Sequence, residues 1–181
     1  TKSLGILLVS EAFLMLPSFF TGLLYGEPSA VAFFQVMLIL IAVGLPMSFI
    51  KPANEIMFAR DGFMIVALGW ILISLFGAMP FTFSKSIPSF VDSFFESASG
   101  FTTTGASILT DVEIMPKGML FWRSFTHWIG GMGVLTFTLA VLPSVGARTL
   151  HIMKAESPGP SPGKIVPKIG QTAKILYGIY L

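Results

Sequence analysis

The stretch Pro88–Ser107, PSFVDSFFESASGFTTTGAS, sets how the chain reads. Apolar and polar side chains alternate at helical spacing from Pro88 to Ser99, and Gly100 interrupts them. A compact run of Thr102, Thr103, Thr104, Gly105, Ala106 and Ser107 follows. Long apolar runs lie on both sides. A polar, glycine-containing backbone at membrane depth is tolerated only where protein buries it or a watery cavity meets it. Helix over Pro88–Ser99 would reach about 18 Å, roughly half a bilayer, so it enters a membrane without crossing it. Thr and Gly after a half-length helix is how a cation-selectivity filter is built, with main-chain carbonyls replacing the water around an ion. The alternative is a polar connector capped by threonine hydroxyls.

The surrounding sequence is that of a membrane protein. Of 181 residues, 54% are hydrophobic and 11% charged, with mean hydropathy +0.82; a soluble domain carries about a quarter charged residues. Four full spans are expected: Leu4–Leu24, interrupted by Glu11 and Pro17; Ala30–Ile50, with Gln35; Phe63–Phe83; and about Met119–Leu142. Each has the ~20 residues that cross ~30 Å of hydrocarbon. Ser86 or Ser89 caps the half-length helix. The first run is too long for a signal peptide and no small-residue cleavage site follows it. Lacking an initiator Met and stopping within a helical pattern at Leu181, the chain reads as part of a longer protein.

Charge sets the orientation. Lys51 and Arg60 flank one loop, and Arg148, Lys154, Lys164 and Lys168 populate another, whereas the Tyr25–Ser29 turn has no basic residue. Basic loops stay cytoplasmic. With four spans between Leu4 and Leu142, both loops lie inside only if Pro88–Ser107 re-enters from the outer face. The basic residues sit in loops between apolar spans, so the net charge of +2 does not point to nucleic acid. Without cysteine there is no disulfide or thiolate site.

A helix dipping in from outside directs its C-terminal end, with about half a negative elementary charge, at the membrane centre. Thr103, Thr104 and Gly105 then run extended with carbonyls on an axis, flanked by Thr102 and Ala106. One such strand is a quarter of a potassium filter, so three more must come from other copies or from residues beyond Leu181. Asp92 and Glu96 share a helix face. Ionisable groups at depth are normally paired, and Arg123 is the expected partner of Glu96; the alternative is an acidic vestibule, for which Asp92 is the better placed. Gly130, Gly131 and Gly133 read as close helix packing or as a hinge. Glu11 and Gln35 are expected to satisfy each other or another helix, and His127 to make a packing hydrogen bond. No metal-ligand spacing, nucleophile–base pair or phosphate-binding glycine loop supports an enzyme built on Glu96, His127 or His151, and no cofactor is called for.

Phe94-Phe95-Glu96-Ser97 followed by Thr102–Ser107 resembles the first pore repeat of the TrkH/KtrB family of potassium transporters. Arg60-Asp61-Gly62-Phe63, Trp128-Ile129-Gly130-Gly131-Met132-Gly133 and Ala155-Glu156-Ser157-Pro158-Gly159-Pro160 resemble the family in the same order, so the likeness covers essentially the whole chain. Two spans before the first repeat are similar to the TrkH branch. The resemblance implies an all-α membrane protein with two N-terminal helices (1–62), then outer helix 63–83, pore helix 88–100, filter 101–107 and inner helix 116–143. A cytoplasmic loop at 147–168 and the start of a second repeat at 169–181 follow. It further implies K+ uptake across a bacterial inner membrane, K+ held by the backbone of Thr103, Thr104 and Gly105, a homodimer, and a cytosolic nucleotide-binding TrkA-like regulatory subunit. An alternating-access symporter that uses the broken helix as a midplane site is the competing mechanism.

Overall fold

The computed structural model describes residues 2–50, 59–141 and 178. Among them every regular element is an α-helix: α1 (Lys2–Leu14), α2 (Leu16–Leu24), α3 (Ser29–Phe49), α4 (Ala59–Phe83), α5 (Phe90–Phe101) and α6 (Lys117–Val141). Three stretches, Lys2–Leu24, Ser29–Phe49 and Met64–Phe83, are long and apolar enough to cross a membrane. α6 has the length to span as well, 25 residues, and carries Arg123, Thr126 and His127 in its first half. The loop carrying Lys51 and Glu55, the 147–168 loop with its Ala155–Pro160 motif, and 169–181 apart from Gly178 lie outside the described residues.

The first span is broken into α1 and α2 at Met15. Pro17 has no N–H to give the carbonyl of Phe13, and its ring crowds that turn, so the helix resets two residues earlier. The break is buried, with Met15 fully enclosed.

Lipid tails are as apolar as leucine, so packing rather than hydrophobic transfer must hold these helices together. Trp122 of α6 is the hub. Its ring meets Phe33 of α3 edge-on at 6.2 Å and Phe101 of α5 at 6.1 Å. Its Nε1 donates to the Gly77 carbonyl of α4 at 3.0 Å. One side chain thereby ties four helices, and satisfying the indole N–H lets so large a ring be buried.

Polar contacts fix the start of α6. Glu27, in the turn between α2 and α3, accepts the Lys117 amide at 2.7 Å and the Gly118 amide at 3.0 Å, and Ser29 Oγ donates to it at 3.0 Å. A helix leaves its first amides without intrahelical partners, and here a carboxylate some ninety positions upstream supplies them. Burial tends to raise the Glu27 carboxyl. The amides of Gly118 and Lys117, the Ser29 hydroxyl and the Lys117 charge outweigh it and hold the group below its ordinary 4.5.

A carboxyl depressed on folding stabilises above its unfolded value and loses that contribution as pH falls through the lower, folded one. Thermal unfolding of the full-length protein should therefore weaken below about pH 4.5 more steeply than that of Glu27→Gln, which starts lower at neutral pH. Superimposable pH profiles would show that the cap contributes nothing.

Candidate functional site

α5 turns the usual amphipathic logic inside out. Ser93, Glu96, Ser97 and Ser99 are buried, while Val91 and Phe95 are exposed. These polar side chains face the bundle interior and the two apolar ones face outward. Ser89 caps it, accepting the Asp92 amide at 3.4 Å, and Ser93 Oγ donates to the Ile87 carbonyl at 3.0 Å. Asp92 lies in the first turn, where a negative charge complements the helix dipole; its carboxylate contacts no cation among the described residues.

The far end of α5 is closed by a Schellman motif. Thr103 donates its amide to the Gly100 carbonyl and Thr104 to the Ser99 carbonyl, each at 3.0 Å, which is the paired capping pattern of a helix C-terminus. The motif needs a left-handed residue, and Thr103 fills it at φ 58°. A β-branched residue is rarely found there. Thr103 thus differs from the extended strand expected from sequence, because the helix captures its amide. Thr102 also donates back, to Ala98 at 2.9 Å, and Gly105 to Ser99 at 3.4 Å. Four consecutive N–H groups therefore face the helix. The carbonyls of Thr102, Thr103, Thr104 and Gly105 accept no hydrogen bond among the described residues, and the segment is exposed.

After Gly105, at φ 75°, the chain runs back alongside α5. Ser99 Oγ donates to the Ala106 carbonyl at 2.6 Å, so Ala106 is anchored where the preceding carbonyls are free. Ser107 Oγ donates to both Glu96 carboxylate oxygens at 3.1 Å, and the Ile108 amide reaches Oε2 at 3.3 Å. Arg123 Nε of α6 meets Glu96 Oε1 at 2.5 Å. Glu96 is accordingly the joint between α5, the returning segment and α6. The threonine hydroxyls are held too: Thr102 Oγ1 donates to the Ala98 carbonyl at 2.7 Å and lies 2.8 Å from Thr104 Oγ1.

α6 supports the turn from behind. Gly130 lies directly against the main chain of Phe101, where a Cβ would strike the Phe101 carbonyl. Thr126 packs on Gly100 and bonds its hydroxyl to the Arg123 carbonyl at 2.7 Å. His127 Nδ1 lies 3.0 Å from the same carbonyl. No group of three or more metal-ligating side chains occurs among the described residues.

Residues 29–181 match the family model TrkH, described as a cation transport protein. The chain belongs to the TrkH family. It is 36% identical over 185 aligned positions to the Trk system potassium uptake protein TrkH of Escherichia coli K12, covering 100% of this chain and 38% of that protein. Against TrkG of the same organism it is 34% identical, over 99% of this chain and 38% of the relative. The crystal structure of the potassium transporter TrkH from Vibrio parahaemolyticus superposes with a TM-score of 0.76 at 34% identity, over 99% of this chain and 36% of that one. The chain therefore spans well under half the length of the TrkH relatives it matches.

Sequence reasoning missed three contacts that shape this TrkH-family site: Ser99 with Ala106, Ser107 with Glu96, and Glu27 with the start of α6. The serine spacing on α5 was the available signal for the first, since Ser93, Ser97 and Ser99 crowd one short helix. Glu11 and Gln35, expected to satisfy each other or another helix, do not meet, and neither Glu11 oxygen has a partner among the described residues. Gln35 is exposed, on the side of α3 away from Phe33, Val36 and Leu40, while Glu11 is buried.

Proposed function

We propose that this chain is the N-terminal part of a potassium uptake protein, in which residues 63–146 form the first of several pore repeats behind two N-terminal membrane helices. The observation that carries the reading is the row of unoccupied carbonyls at residues 102–105, standing at the C-terminal end of α5 with their amides turned away. Carbonyl oxygens held without hydrogen-bond partners suit a dehydrated K+, and the negative end of the α5 dipole adds to their field. Thr102, Thr103, Thr104 and Gly105 supply the ligands and Ala106 closes the segment. Glu96 and Arg123 hold the frame, and Asp92 lies toward the mouth.

The names of the relatives support K+ as the transported ion. On this reading the assembled protein is a multi-pass protein of a bacterial inner membrane, with the basic loops in the cytosol and α5 entering from outside. It works as a homodimer regulated by a cytosolic TrkA-like nucleotide-binding subunit, and it transports rather than performs chemistry.

Gly105 provides the test. No atom stands within 4 Å of where its Cβ would be, so only the left-handed backbone opposes an alanine. That conformation costs an L-residue about 1–2 kcal/mol, and 1.4 kcal/mol corresponds to about tenfold in an equilibrium. An alanine that relaxes out of that conformation turns the Gly105 carbonyl. Gly105→Ala in the full-length protein should therefore insert normally yet lose K+ over Na+ discrimination by up to about tenfold, read by ion uptake in cells lacking other potassium systems. Unchanged discrimination with normal insertion would remove the filter from this segment.

A further inference from the structure

Ser99, two residues before the end of α5, makes three bonds to the segment that follows the helix. Its carbonyl accepts the Thr104 amide at 3.0 Å and the Gly105 amide at 3.4 Å. Its hydroxyl donates to the Ala106 carbonyl at 2.6 Å. The residue itself is buried, at 6% exposure.

A buried hydroxyl needs a partner, and a serine or threonine in a helix commonly finds it in a carbonyl three or four positions earlier. Thr102 does so with Ala98, and Thr126 with Arg123. Ser99 reaches seven positions forward instead. The effect falls on one oxygen. Ala106 is exposed, as residues 102–105 are, so exposure does not separate its carbonyl from theirs. Their carbonyls accept no hydrogen bond among the described residues, whereas that of Ala106 accepts the Ser99 hydroxyl. The hydroxyl hydrogen sets a partial positive charge against that oxygen, and the bond holds the Ala106 carbonyl toward α5.

We propose that Ser99 is a positioning residue for potassium selection, a role that rests on residues 102–105 being the ion path. Its side chain ends the row of free carbonyls at Gly105 and pins the returning limb that holds this last carbonyl in place. Without the hydroxyl, the Ala106 carbonyl joins the row and the limb beyond Gly105 loses its tie to α5. Carbonyls that stand in for the water around an ion then shift to suit a smaller cation, and the preference for K+ over Na+ narrows.

Uptake of K+ and of Na+ by the full-length protein, in cells lacking other potassium systems, tests it. Ser99→Ala should insert normally and lose K+ over Na+ discrimination by about fivefold, the equilibrium worth of one ordinary hydrogen bond. Ser99→Thr, which keeps the hydroxyl, should retain most of it. Ser93→Ala is the control for a purely structural role. Ser93 is buried in the same helix and donates to the Ile87 carbonyl at 3.0 Å, at the end remote from residues 102–106. Losing that bond should lower stability without moving the ratio of the two uptakes. Should Ser99→Ala fail to accumulate, Ser99→Cys takes its place, since a thiol is a weak donor, and a smaller loss in the same direction is expected. An unchanged ratio in the Ser99 variant beside a lowered one in Gly105→Ala would overturn the role of Ser99 and leave the ion path where it is. Unchanged ratios in both would remove the ion path and this role together. A ratio lowered as far by Ser93→Ala, or lost in Ser99→Thr, would reduce Ser99 to a residue that merely stabilises α5, and so overturns the proposal.

Discussion

Glu96→Leu is expected to destabilise the full-length protein by about 3 kcal/mol, at the lower end of what breaking a buried ion pair costs. The lower end applies because the Arg123 side chain keeps 19% exposure against 1% for Glu96, so a stranded guanidinium still finds some water. Thermal unfolding in detergent reads the loss. The double variant Glu96→Leu/Arg123→Leu should recover most of it, since replacing both partners with apolar groups is often neutral. Recovery should stop at stability. Ser107 and Ile108 lose their anchor in either variant, so ion uptake should stay impaired in the double variant although the fold is restored. If uptake returns along with stability, Glu96 serves only to balance Arg123.

The second large effect is expected from Gly130→Ala. The added methyl would meet the Phe101 carbonyl, so α5 and α6 must move apart. Overpacking of this kind costs about 1–3 kcal/mol and sometimes more, and here the displaced atoms immediately precede Thr102. Gly131→Ala is the control. Gly131 is exposed, and alanine in a helix interior is favoured over glycine by about 1 kcal/mol. Neighbouring glycines should thus give opposite results: impaired folding and selectivity at 130, and tolerance or slight stabilisation at 131. Equal tolerance at both would show that the α5–α6 contact is loose.

These two cases also mark what could be read from the sequence. Composition and run length are local properties, and they were enough for the helical class, the approximate helix ends and the short α5. The contact of Glu96 with Arg123 could be reasoned from depth alone, because a membrane leaves so few partners for an acid. Long-range polar contacts leave no such trace. Nothing near Glu27 indicates that it caps a helix beginning at Lys117, and nothing near Thr103 marks a left-handed residue, since threonine is a poor candidate for that conformation. The glycines at 130 and 131 look alike in sequence, and only the position of Phe101 separates them. Glu11 shows the converse failure: its burial was legible, but Gln35, one of the two partners open to it, faces the other way on α3.

The capping turn at residues 102–105 has one more consequence. Chloride and similar anions are stabilised by amide hydrogens, and every amide in this turn is already engaged with α5. An approaching ion therefore meets lone pairs and nothing else. If residues 102–105 meet the ion as proposed, the main chain by itself rejects one sign of charge, and this discrimination should survive replacement of the threonine side chains as long as the turn keeps its shape.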